Sequence, residues 1–275
     1  MSGKVDFVEG EHGPALIEGP ATALSWLTVL PIKGASAFDR TTGARVMASL
    51  PVVGVVLGAV AAVIVAGLQA LGVSSLLIGT LVVVSWALFT RFMHLDGLAD
   101  VADALGSYAE PARAREILAD PHAGLIGMGS ALLAMLVQVA SIAAIVDATP
   151  QAFVIVFLIP FFARITGPVG ANEHFHPMKP TGFGAMMIGT AKTWWTACWF
   201  FVACVPSLFA ARVLDDAALL LICQGVLAVA LGVAVALARH CSKRFGGLNG
   251  DTTGFIMETN ASVTAALFAI ALPLI

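Results

Sequence analysis

The sequence predicts an all-α fold, a polytopic transmembrane helical bundle of about seven spans with a short N-terminal interfacial or re-entrant helix. Three observations carry this. Hydrophobic residues make up 59% of the chain and charged residues 11%, whereas soluble domains carry roughly a quarter charged residues, and mean hydropathy is +0.94. The apolar residues gather into runs close to the ~20 residues needed to cross a bilayer. The Lys and Arg residues fall almost wholly in alternate connections between those runs.

Residues 1–20 form a polar tail with Asp6, Glu9, Glu11 and Glu18 and lack the basic start and apolar core of a signal peptide, so no cleavage is expected. Residues 21–32 are apolar but too short to span and have charged neighbours, which suits an interfacial or re-entrant helix. The seven expected spans are 46–72, 76–90, 124–146, 152–171, 193–211, 217–238 and 255–275. The second is short and the first contains Pro51. Pro and Gly inside spans (Pro51, Gly54, Gly58, Pro160, Pro206) mark kinks or close helix approach, since neighbouring helices can satisfy the freed backbone groups. No long polar stretch divides the chain, so residues 21–275 are expected to form one integral-membrane domain.

Counted alternately, one side of the bilayer receives twelve of the 14 Lys and Arg residues; the other receives Arg212, and Arg164 lies inside a span. By the positive-inside rule the long connections 91–123, 172–192 and 240–254 face the cytoplasm, so the chemistry is expected there, in a multi-pass protein of the plasma (inner) membrane. A net charge of −3 with scattered basic residues argues against nucleic-acid binding. Cys198, Cys204 and Cys223 lie in apolar segments, Cys241 falls in an expected polar loop, and no CxxC occurs, so neither disulfides nor a thiolate metal site are supported.

The segment 91–106, RFMHLDGLADVADALG, is the most informative. On a helix, Asp96, Asp100 and Asp103 fall within roughly 60° of one another. Carboxylates at i, i+4 and i+7 repel, and a cation removes the penalty. Oxygen-only ligands suit a hard ion such as Mg²⁺, which is usually held by one or two carboxylates plus substrate phosphates, so a phosphate or diphosphate substrate is implied. The alternative is a solvated acidic face, against which the apolar surroundings of Leu95, Leu98, Ala99, Val101 and Ala102 argue.

Further along, Asp120 precedes a glycine-rich stretch with Gly124, Gly127 and Gly129. A glycine-rich helix start can offer amides to phosphate, and close helix packing explains the same glycines equally well. Asp120 reads as a helix cap or as a further metal or general-base carboxylate. Arg164 inside a span must face the bundle interior and meet an anion, either bound phosphate or a structural carboxylate. The 172–177 stretch NEHFHP reads as substrate contacts or a polar loop. In the 244–254 segment RFGGLNGDTTG, Gly246, Gly247 and Gly250 let backbone approach a ligand, and Asn249 and Asp251 add oxygens. Glu258 stands seven residues beyond Asp251 and at membrane depth, where an acid is costly unless used.

Together, HLDGLADVADAL at 94–105, Asp120 with Gly124 and Gly127, and GGLNGD at 246–251 with Glu258 resemble the cobalamin (5′-phosphate) synthase family, the adenosylcobinamide-GDP ribazoletransferases. LTVLP at 27–31 and LPVVG at 50–54 resemble that family's N-terminal signatures, so the likeness runs from about residue 21 to the last span. The resemblance implies a Mg²⁺-dependent membrane enzyme of late cobalamin synthesis that joins adenosylcobinamide-GDP to α-ribazole or its 5′-phosphate and releases GMP. On this reading Asp96, Asp100 and Asp103 hold the ion, and Asp103 is the favoured proton acceptor, with Asp100 and Asp120 as further catalytic acids. Arg164 or Arg91 holds phosphate, and His94, Gly124, Gly127, Gly246, Gly247, Asn249, Asp251 and Glu258 contact substrate. The lipid bilayer is the solvent, and a homo-oligomer is compatible with the sequence. A CDP-alcohol phosphotransferase is the enzymatic alternative, but its pattern needs an acid where Met93 stands and an Arg where Asp100 follows Ala99. A transporter is a weaker alternative, because no internal repeat is visible.

Overall fold

The computed structural model describes residues 7, 8, 10–120, 122 and 124–274. Its elements are α1 (Ala15–Leu27), α2 (Arg40–Ala70), α3 (Ser75–Phe89), α4 (Met93–Gly106), α5 (Pro111–Leu118), α6 (Leu125–Ala148), α7 (Ala152–Gly170), α8 (Phe183–Met187), α9 (Thr193–Val202), α10 (Cys204–Val213), α11 (Ala218–Phe245) and α12 (Gly250–Ala271). A 3₁₀ turn, Leu272–Leu274, follows α12. Among the described residues there are no strands, only three isolated bridges.

Six helical stretches are long and apolar enough to cross a membrane: α2, α6, α7, the α9–α10 pair, α11 and α12. The seventh crossing is α3. At 15 residues it rises only about 22 Å, but α2 ends and α6 begins at opposite faces, so the chain must return between them. The 90–124, 171–192 and 246–249 connections then share one face, and the short turns 71–74, 149–151 and 214–217 share the other. At the latter, the Gln69 amide donates to the carbonyls of Val146 and Thr149.

At the centre stands α7, nearly all of whose residues are buried, as expected of a helix apolar all round. Against it lies α2, along a Gly54–Gly58 seam. A Cβ on Gly54 would stand 2.7 Å from the Phe161 Cα, and one on Gly58 would stand 2.5 Å from the Phe157 carbonyl oxygen. Small residues four apart allow such close backbone contact in lipid, as the sequence anticipated.

Several boundaries differ from expectation, each for a local reason. The N-terminal helix spans Ala15–Leu27 instead of 21–32, because Pro14 opens it and Pro31 forces the residue before it out of helical geometry. Glu18, expected in the tail, belongs to this helix and pairs with Arg45 of α2. The fifth expected span breaks at Ala203, because Pro206 cannot donate to the Val202 carbonyl and its ring crowds it. The 28-residue α11 runs to Phe245, so Cys241 is not in a polar loop; it is a buried helical residue. The last span begins at Gly250, where Asn249 accepts from the Thr252 amide in a capping box, and Asp251 therefore lies within the helix.

Candidate active site

The site is built where α4 leaves α3. Arg91 and Phe92 both adopt left-handed backbone, with φ of 54° and 59°, which L residues rarely do in succession. The chain turns through 91° at this point. As a result α4 does not continue the crossing. It lies against the first turns of α6 and α12 at the long-loop face.

Two close approaches set its position. A Cβ on Gly97 would meet the Asp251 carbonyl oxygen at 2.8 Å and the Asp251 Cα at 2.9 Å; one on Gly127 would collide with the Ala99 carbonyl and the Asp103 carboxylate. The glycine in the Asp96-Gly97 pair is therefore what lets α12 bring Asp251 beside α4.

The predicted residues divide into three groups. The first is the acid cluster. Asp100 is half-buried, and burial, followed by the negative charges of Asp96, Asp251 and Asp103, pushes its carboxyl up to about 7. Among the described residues none of these four acids has a Lys, Arg or His partner at salt-bridge distance. Asn249 donates its amide to Asp251 Oδ2 at 2.6 Å, holding that carboxylate in place. Asp103 has turned to α6, accepting from the Gly124 amide at 2.5 Å and the Gly127 amide at 2.8 Å. The amides that the glycine-rich stretch could have offered to phosphate are thereby occupied by a carboxylate that caps the helix and meets its dipole. Among the described residues no three His, Cys, Asp or Glu side chains converge as a ready metal cage. Asp96, Asp100 and Asp251 could supply one or two ligands to an ion completed by phosphate.

The second group lies deeper. Arg164 is fully buried and pairs with Glu258 at 3.1 Å, so the anion it needed is a structural carboxylate. Its other contact is His94 Nδ1 at 3.2 Å. A guanidinium only donates, so His94 is neutral, accepts at Nδ1 and carries its proton on Nε2. That Nε2 is buried without a partner among the described residues. Glu258 also faces Gln138, which donates to Ser262 at 3.2 Å.

The third group stands apart from the cluster. Asp120 is exposed and bound to the His122 amide and ring, which hold its carboxyl below the usual range. Arg91 donates to the Trp26 carbonyl at 2.5 Å. Gly246 closes α11 in left-handed conformation at φ 71°. Gly247 lies against the His176 carbonyl, and Leu248 pairs through backbone with His176 and Met178, so the 172–177 stretch braces the loop that leads to Asp251.

Two residues escaped the sequence reading. Lys179 carries a charge that acts on Asp251 across a gap longer than a salt bridge, and nothing local marks it, because the two residues lie about 70 positions apart in sequence. Gln138 left a legible signal as a lone amide within an otherwise apolar span. Beside the acids lies a cavity of ≈ 120 Å³ whose walls include His94, Asp251, Met47, Met187, Met257 and Phe183.

The family model described as Cobalamin-5-phosphate synthase matches residues 19–270. An adenosylcobinamide-GDP ribazoletransferase of Corynebacterium diphtheriae is 51% identical over 98% of both chains, as is one of Corynebacterium efficiens. A protein of the same name from Frankia casuarinae is 32% identical over 92% of this chain and 94% of its own. No solved structure matches the chain.

Proposed function

Because the chain belongs to the cobalamin-5-phosphate synthase family, a family of transferases in cobalamin biosynthesis, we propose that its acid-lined face joins adenosylcobinamide-GDP to α-ribazole or its 5′-phosphate and releases GMP. The observation that supports this is the set of four carboxylates, Asp96, Asp100 and Asp103 of α4 and Asp251 of α12, gathered with no salt-bridge partner among the described residues.

That donor set fits a hard divalent ion shared with substrate phosphate. Asp96 and Asp251 would hold it, and bound Mg²⁺ supplies neutralisation of the diphosphate charge. Lys179, whose charge acts on Asp251, would bind phosphate oxygen. Asp100, poised near neutrality, suits a proton acceptor; Asp103, with both oxygens bonded to amides, does not. In the transfer, a ribose hydroxyl of the acceptor gives its proton to Asp100 as its oxygen bonds the phosphorus on the cobinamide side. The bond between that phosphorus and the bridging oxygen breaks, and GMP leaves with the electron pair. Arg164 and Glu258 neutralise each other and hold His94 on the wall of the site. The low-dielectric setting limits competing hydrolysis by water.

We assign the site to the cytoplasmic face of the inner membrane, on the strength of the Lys and Arg excess in the connections that surround it. The test is the full chain purified in detergent, supplied with adenosylcobinamide-GDP, α-ribazole and Mg²⁺. Expected are GMP and the joined product in equal amounts, and loss of both on chelation. GMP formed without the joined product, or turnover insensitive to chelation, contradicts the reading.

A further inference from the structure

The buried ion pair carries one more inference, which rests on the transferase reading. We propose that Arg164 is a positioning residue: by gripping His94 of α4 and Glu258 of α12 at once, its guanidinium sets the two acid-bearing helices in the register at which Asp96 and Asp251 share an ion.

Connectivity is the first support. A single nitrogen, Arg164 Nη2, contacts both His94 Nδ1 at 3.2 Å and Glu258 Oε1 at 3.1 Å. His94 lies in the first turn of α4, two residues before Asp96, and Glu258 lies seven residues beyond Asp251 in α12, which is about two helical turns. Both helices therefore refer to one atom of α7, the central helix. Arg164 itself has no room to shift, since it is 2% exposed and a Cβ on Gly54 of α2 would stand 3.1 Å from its Cβ.

The seam between the two helices is the second. Glycines line it: a Cβ on Gly97 would stand 2.8 Å from the Asp251 carbonyl oxygen, and one on Gly254 would stand 3.3 Å from the His94 Cα. Glycines let backbones approach but present no ridge that opposes sliding along the seam. A charge-assisted hydrogen bond has direction and fixes it.

The third is energetic. A buried ion pair commonly stabilises no more than apolar residues of the same volume would, whereas single buried polar groups are known to set helix register. Here the pair is extended to a further helix, because Gln138 of α6 faces the second oxygen of Glu258 at 3.5 Å and donates to Ser262 of α12 at 3.2 Å.

The experiment measures Mn²⁺ binding to the full chain in detergent, from the paramagnetic resonance signal of the free ion, alongside the Mg²⁺ needed for half-maximal GMP release. Mn²⁺ takes the same oxygen ligands as Mg²⁺. Arg164→Met with Glu258→Leu keeps an apolar core and is expected to unfold near the wild-type temperature, yet to bind Mn²⁺ and use Mg²⁺ roughly tenfold more weakly. His94→Leu, which removes the acceptor, is expected to show the same loss. His94→Asn, whose Oδ1 accepts in place of Nδ1, is expected to return to within roughly threefold of wild type. Wild-type ion affinity in His94→Leu or in the double variant, or His94→Asn as impaired as His94→Leu, overturns the positioning role and leaves the transfer reading standing. A wild-type chain that releases no GMP with α-ribazole, or releases it without Mg²⁺, overturns both.

Discussion

Replacing Gly97 by Ala places a methyl group where the α12 backbone already stands. The new Cβ would lie 2.8 Å from the Asp251 carbonyl oxygen, about 0.6 Å inside the 3.4 Å at which ordinary contact begins. The obstacle is backbone, which cannot swing aside as a side chain can, so α4 and α12 must part by about that distance. Overpacking of this kind costs ~1–3 kcal/mol, partly offset by the better helix propensity of Ala, up to ~1 kcal/mol. The protein should therefore remain folded. The separation falls between Asp96 and Asp251, where reactants are aligned, and a 1 Å misplacement costs ~10²-fold in rate. Turnover should fall roughly tenfold or more. The assay is steady-state GMP release in detergent alongside thermal unfolding, with Gly129→Ala as control, since nothing lies within 4 Å of a Cβ there. Gly97→Ala turning over within twofold of wild type, while unfolding at the wild-type temperature, would refute the claim that this approach sets the site.

Further outcomes follow from the same geometry. Glu258→Gln leaves the Arg164 guanidinium buried without its counter-charge and should cost ~3–5 kcal/mol, whereas Arg164→Met with Glu258→Leu should recover most of it; chemical unfolding of the three chains checks this. Asp103→Ala removes the acceptor of the Gly124 and Gly127 amides and should destabilise α6 by ~1–3 kcal/mol, read as faster amide exchange in its first turn. The Asp100 carboxyl keeps its proton below about 7 and loses it above, and a bound cation favours the charged form. Adding Mg²⁺ should therefore release protons at pH 6.5 and far fewer at pH 8.5, and Asp100→Asn should reduce the release, as followed with an indicator dye in weak buffer. Tyr108, exposed between α4 and α5, should after Tyr108→Cys react with an impermeant maleimide in inverted membrane vesicles and not in intact cells.

The spans were legible because hydropathy is a property of a run, so α6 and α7 fall within two residues of expectation. Their ends were less so. Residues 239–245 contain polar residues but form about two more turns of the helix, burying Cys241 and Phe245, and hydropathy averages cannot see that. Asp96 and Asp100 could be placed on one face from helical spacing alone, and Arg164 could be assigned an anion from the cost of charge in lipid. That the anion is Glu258, 94 residues away, is a matter of packing. The turn of Asp103 onto α6 is likewise tertiary: the same spacing serves a metal ligand or a helix cap, and only the approach of Gly127 decides.

The most direct test of the central claim is the Mg²⁺ dependence of GMP release in Asp96→Asn and Asp251→Asn, residues from two helices that meet only in the folded bundle. If their carboxylates share the ion that bears the diphosphate, each variant should need at least roughly tenfold more Mg²⁺ for half-maximal rate, with its adenosylcobinamide-GDP and α-ribazole dependence measured at saturating Mg²⁺ close to wild type. A wild-type Mg²⁺ response in either variant, with turnover intact, would place the reacting diphosphate somewhere other than this cluster.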